Sequence, residues 1–325
     1  MENGVLTLKF RSPQARTFTI GTRGSPLALF QARFVQSCLS AHSGIGVEYF
    51  PIKVITTSGD KLKGSLMNFG GKGLFTKELE MALLDEHVDL AVHSLKDIPT
   101  QSHDKLKISC VLKRGDPRDA FLATEVTQLD DLPIGAVIGT ASIRRQAQLT
   151  NWRPDLRFSL MRGNVNTRLS KLANKECDAI ILAAAGLIRL GLETNIKEML
   201  TLKSFLTAPA QGAIAVEIRE GDEQTNHLLS KLNHVPTELA VTAERAFLLA
   251  LDGSCKSPIA ALGMMNGKNL AFRGEIFSRD GRVRLKRELA AECSTSNEAF
   301  DIGFHLGQEI RRKIQSESLF DKFYS

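Results

Sequence analysis

The sequence predicts an α/β protein: two α/β domains followed by a small C-terminal α+β domain with a three-stranded antiparallel sheet. Three observations carry this. Short apolar, β-branched runs alternate with helix-period segments in the first two thirds of the 325 residues. The alternation breaks at a Gly/Asp/Pro turn, "KRGDPRDAF", and then restarts. The last third carries hairpin signals, "NG" at 266–267 and "RDG" at 279–281.

The first strand is read at 17–22, "TFTIGT". A helix over 25–42 follows, with Ser25 as its N-cap and Pro26 at its first position. A strand over 47–55 precedes a helix over 73–87, where Phe75, Leu79 and Leu83 share a face at spacing four. The apolar strand at 88–95 runs into the loop "KDIPT". Such βαβ patterning predicts a parallel sheet with helices on both faces. The second domain, 114–211, repeats it: strands at 136–140, 156–162 and 178–183, each followed by a helix. Ser142 caps the first of these helices, and Thr167 or Asn166 the second. A strand at 213–218 returns to the first domain, which then comprises 1–113 and 212–233. The third domain, 234–325, opens on a long helix and closes on another at 297–314.

Net charge is +6, which suits an anionic partner. Its placement narrows the class. Arg23, Arg144, Arg145, Arg162 and Arg168 all sit at strand ends or first helical turns, where open α/β sheets bind ligands. Cations there oppose the helix dipole, yet free N–H groups and guanidiniums together clamp carboxylates or phosphates. The bland alternative is a set of solvated surface arginines. A nucleic-acid surface wants a basic stripe with exposed aromatics, and the chain has one Trp and two Tyr. A small ligand with several carboxylates fits better. Lys72 adds a cation in a Gly-rich turn, but "GGKG" is not a phosphate-binding loop. Asp97, beside Lys96 past a strand end, reads either as a catalytic carboxylate or as a surface turn residue; His93 reads as structural.

Five scattered cysteines lack C-x-x-C pairs, and seven histidines lack ligand spacing, so neither a disulfide framework nor a metal site is expected. No apolar run reaches the roughly 18 residues of a membrane span, and the N-terminal segment lacks a secretory apolar core; a cytoplasmic protein is expected. Cys255, in the loop "GSCKSP", reads on chemistry alone as an incidental thiol or as a reactive one, although no base stands beside it.

The blocks "TRGSPLALFQA", "GGKGLFTKELE", "HSLKDIPT", "GTASIRRQAQL", "RGNVNTRL", "LAAAGLIRLGL", "APAQGAIAVE" and "GSCKSPIAA" occur in one order along nearly the whole chain. Together they resemble the signature blocks of the porphobilinogen deaminases. The resemblance implies two periplasmic-binding-protein-like α/β domains and an α+β third. It also implies stepwise head-to-tail joining of four porphobilinogen molecules, with release of ammonia, to give a linear tetrapyrrole. It implies a covalent dipyrromethane cofactor on Cys255, with Asp97 catalytic. Lys96, Asp97, Thr140, Ser142, Arg144, Arg145, Arg162 and Gln211 would bind the cofactor. Arg23, Ser25, Lys72, Arg168 and Arg189 would bind substrate. No metal, nucleic acid or membrane partner is implied, and a monomer is. The chain departs from the family pattern at Asn68, Ala141, Asn166 and Ile188. The competing reading from another class is a non-catalytic two-lobed binder of an anionic solute, which has no use for a loop thiol or a third domain.

Overall fold

Ser25 starts the first helix: its Oγ accepts from the Ala28 N–H at 3.3 Å, and Pro26 needs no N–H partner at the first helical position. Such local signals set the element order in the computed structural model, which describes residues 16–61, 73, 75–101, 103–253, 257–317, 319, 321 and 323. The chain runs β1 (Ile20–Thr22), α1 (Pro26–Ser43), β2 (Ile52–Val54), α2 (Ser58–Lys61), α3 (Lys77–Leu84), β3 (Leu90–Ser94) and β4 (Leu106–Val111). It continues through β5 (Asp119–Ala123), β6 (Val137–Gly139), α4 (Ile143–Trp152), β7 (Arg157–Ser159), α5 (Val165–Ala173), β8 (Ala179–Ala183), α6 (Ala184–Arg189) and β9 (Glu198–Met199). After β10 (Ile214–Arg219) and α7 (Glu223–Ser230) come α8 (Val235–Ala250), β11 (Ile259–Asn266), β12 (Asn269–Phe277), β13 (Arg284–Glu292) and α9 (Ser296–Ser316).

The first two sheets are mixed, not parallel as the βαβ pattern suggests. Their orders are β2-β1-β3-β10-β4 and β7-β6-β8-β5-β9. In each, the fourth strand runs antiparallel to its neighbours. The reason is connectivity. β5 and β10 enter their sheets from the other lobe, through segments 112–118 and 200–213, rather than through a crossover helix of their own sheet. The apolar pattern of a doubly buried strand is the same for either direction, so sequence could not distinguish them.

Three local readings also shift. Residues 47–49 form a single 3₁₀ turn before β2. Helix α3 begins at Lys77, so Phe75 lies before it. The cap of α5 is Asn164, whose Oδ1 accepts from the Thr167 N–H at 2.9 Å; Arg168 therefore sits a full turn into the helix.

The two connecting segments run side by side. Gly115 N–H donates to Gly212 O at 3.1 Å, and Gly212 holds φ +88, where a Cβ would lie 2.9 Å from Gly115 O. The third domain closes this joint. Glu244 of α8, fully buried, accepts from Arg114 at 2.6 and 3.1 Å. The same carboxylate accepts from Ala210 N–H at 2.5 Å and Gly263 N–H at 2.7 Å. One side chain thus ties both connecting segments to the third domain's sheet. That sheet, in order β11-β12-β13, is antiparallel with continuous register. Phe247, Phe272 and Ile276 fill the space beneath it with α8 and α9. Gly303 lets α9 press on α8: a Cβ there would fall 2.0 Å from Ala243 O.

Breaking a buried ion pair leaves an uncompensated charge, at about 3–5 kcal/mol. Glu244→Gln is expected to lose about that much stability in urea unfolding. A loss below about 1 kcal/mol would show that the joint does not depend on this charge.

Candidate functional site

β3 ends at Ser94, held by Gln31 of α1 through a 2.8 Å hydrogen bond. A single 3₁₀ turn, 95–97, then presents Lys96 and Asp97 beyond the strand's carboxyl end. Leu95 and Ile98 are buried on either side and anchor the turn. Asp97 is exposed and lines a cavity of about 70 Å3 with Arg23, Ser25, Gln31, Phe75 and His93. Arg23 lies over the Phe75 ring, 4.2 Å from its centroid, a cation–π contact that holds the guanidinium at the cavity wall.

The second lobe supplies further cations. Ser142 caps α4 by accepting from Arg145 N–H at 3.4 Å, and its own N–H donates to the buried Thr140 Oγ1 at 3.1 Å. Arg144 and Arg145 are only 4% and 6% exposed. Both grip Asp119, a carboxylate that the sequence reading passed over: Arg145 Nη2 lies 2.7 Å from Oδ1 and Arg144 Nη2 2.8 Å from Oδ2. Arg144 also donates to Leu206 O, and Arg145 to Ile181 O, each at 2.8 Å. Burial pushes the Asp119 carboxyl up, but the two guanidiniums hold it down at about 2. The available signal was an acid heading the otherwise apolar run "DAFLA", buried along its whole length.

Gln211 spans the lobes. Its Nε2 donates to Asp119 Oδ1 at 3.1 Å and to Pro117 O at 2.8 Å, while its Oε1 accepts from Lys96 Nζ at 3.4 Å. Desolvation lowers the Lys96 ammonium to about 8; Asp97 raises it, and Arg145 pushes it further down. Arg168 falls to about 10, chiefly by burial and then by the cations Arg145 and Arg162, with Asp97 opposing. Lys96, Arg144, Arg145, Arg162 and Arg168 therefore share one electrostatic neighbourhood with two carboxylates, Asp97 and Asp119. Positive charge is in surplus and partly desolvated, which is the condition a ligand with several carboxylates relieves. Arg189 stands apart: its Nη2 donates to Gly212 O at 2.6 Å, on the second connecting segment. Lys72 and Cys255 lie outside the described residues.

Residues 18–227 match the family model "Porphobilinogen deaminase, dipyromethane cofactor binding domain", and residues 238–312 match "Porphobilinogen deaminase, C-terminal domain". The chain belongs to the porphobilinogen deaminase family. Its first two lobes each hold a mixed five-stranded sheet. Similar solved structures include the BvgS VFT2 domain (double mutant) of Bordetella pertussis, 16% identical over 67% of this chain and 85% of that one, with TM-score 0.41. The methionine-binding protein MetQ is 12% identical over 66% and 88%, with TM-score 0.41. The L-cystine solute receptor of Neisseria gonorrhoeae is 14% identical over 67% and 86%, with TM-score 0.36.

As a porphobilinogen deaminase family protein, the chain is a transferase of porphyrin biosynthesis. It polymerises porphobilinogen head to tail on a dipyrromethane primer and releases ammonia. The cation cluster fits that group, because each pyrrole unit brings an acetate and a propionate. Among the described residues no helix is long and apolar enough to cross a membrane.

Lys96 gives the site a titration in an accessible range. Its ordinary value lies above 10, so the free protein loses this charge as pH rises through about 8. The kcat/KM for porphobilinogen is expected to fall across that limb, since this ratio reports ionisations of the free enzyme. Lys96→Arg keeps its charge at high pH and should move the fall up by about one pH unit or more. An unchanged profile would remove Lys96 from substrate or cofactor binding.

Proposed function

We propose that the chain is hydroxymethylbilane synthase, releasing the linear tetrapyrrole after four additions. The observation that supports this reading is the gathering of Lys96, Arg144, Arg145, Arg162 and Arg168 about two carboxylates, Asp97 and Asp119. In this reading the dipyrromethane is bonded through a thioether to Cys255 and supplies the pyrrole end on which the chain grows. Lys96, Thr140, Ser142, Arg144, Arg145, Arg162 and Gln211 hold its carboxylates and orient its rings. Arg23, Ser25, Lys72, Arg168 and Arg189 receive the incoming porphobilinogen. Permanent guanidinium charge suits a product that gains two carboxylates per step.

Asp97 is the catalytic group. It is exposed to the cavity, flanked by Lys96 and close enough to Arg168 to raise its pKa. As a carboxylate it accepts hydrogen bonds from pyrrole N–H groups, and it stabilises the positive charge that develops on a pyrrole as ammonia leaves. It also takes part in the proton transfers of each step. The domains divide as 1–113 with 212–233, 114–211, and 234–325. The protein works as a cytoplasmic monomer.

Two measurements test the assignment. Intact mass of the denatured protein should exceed the sequence mass by one dipyrromethane, and Cys255→Ser should abolish the excess together with activity. A fully active, unmodified Cys255→Ser protein would refute the anchor. Asp97→Ala should retain its unfolding midpoint, because the residue is exposed, yet lose roughly 10²–10⁴-fold in turnover. Retained turnover would remove Asp97 from the chemistry.

A further inference from the structure

Arg245 of α8 is a cation spent on two backbone carbonyls. Its Nη1 donates to Ile98 O at 3.0 Å and its Nη2 to Pro99 O at 2.6 Å. These are the two residues that follow Asp97. Other restraints on the Asp97 turn are Gln31 on Ser94, the Leu95 N–H on Ala213 O at 3.0 Å, Lys96 Nζ on Gln211 Oε1 at 3.4 Å, and the 3.2 Å bond from Ile98 N–H to Leu95 O that closes it. The Arg245 fork is distinct because it comes from the third domain.

Placing a guanidinium there is costly. Burial lowers the pKa of Arg245 to about 10, and only the carboxylate of Glu217 on β10 raises it. Glu217 is itself buried, with Oε2 3.3 Å from His93 Nε2. His93 in turn lines the cavity of Asp97. Two carbonyls do not neutralise a cation, and the opposing charge comes from Glu217. What the planar fork adds is fixed position and orientation for two successive peptide groups.

The stretch of α8 that carries Arg245 is itself fixed in place. Immediately beside Arg245, Glu244 locks α8 to both connecting segments. A single helix therefore locks the joint through Glu244 and grips the turn of the catalytic carboxylate through Arg245. We propose that Arg245 is a positioning residue for the reaction, holding the Asp97 turn against α8 so that the carboxylate keeps its place in the cavity.

The proposal rests on Asp97 being the catalytic group, and its test separates the two. Arg245→Gln should lower kcat about 10–100-fold, as expected for a misplacement near 1 Å. KM should change less than about 3-fold, and the added mass at Cys255 should remain. Arg245→Lys should recover part of the loss. In an Asp97→Glu background, where the carboxylate is already displaced by a methylene, Arg245→Gln should cost less than about 3-fold, because the residues act as one unit. Equal fold-losses in both backgrounds would overturn the inference. So would a raised KM with unchanged kcat, or loss of the added mass. If the Gln variant does not fold, the same comparison with Arg245→Lys decides it. Full turnover by Asp97→Ala would instead indict the assignment of Asp97, leaving the two failures distinguishable.

Discussion

Guanidiniums crowded into a partly dry seam repel one another, and the site depends on how this repulsion is held in check. Asp119 does it for the two most buried members. Its carboxylate takes one oxygen to Arg145 and one to Arg144, and both side chains finish their hydrogen bonds on backbone carbonyls. Burial would favour a neutral acid, but two adjacent cations outweigh it and keep the charge. Lys96 and Arg168 are also pushed down by burial and by neighbouring cations, with Asp97 raising both. Their mutual destabilisation is an open demand for anionic ligand, and it grows with the number of carboxylates the ligand brings.

The same logic of buried carboxylates organises the frame. Glu244 draws Arg114 and the Ala210 and Gly263 N–H groups onto one side chain, so the two connecting segments and the third domain meet at a point. Gln211, one residue beyond Ala210, then reaches from that joint to both Asp119 and Lys96. The joint and the site are thus continuous. Arg189 extends the link by binding Gly212 O, which places a residue of the second lobe on the segment that returns to the first.

Much of this was legible in the chain. Ser25 and Ser142 announce their helices because a cap is a local interaction, complete within three residues. Asp97 was placed beyond a strand end by an apolar run followed by "KDIP". Phe75 was misassigned to a helix face because spacing alone cannot tell Leu79 and Leu83, which pack in the core, from an aromatic ring that supports Arg23. The cap of α5 was displaced because Asn164, Asn166 and Thr167 are all competent caps, and the chain path decides among them.

Local pattern along the chain fixes the order and type of most elements, the hairpins of the third domain, the strand-end placing of the arginines and, through eight ordered blocks, the family. These follow from periodicity and from short motifs whose partners lie within a few residues. Which charges meet is a matter of tertiary packing. Asp119 finds Arg145 across 26 positions, Glu244 finds Arg114 across 130, and Arg245 finds Ile98 across 147. It also decided that β5 and β10 run against their neighbours. A buried carboxylate and a surface one look alike in a sequence. What separates them is desolvation, and desolvation depends on every element that packs around the group.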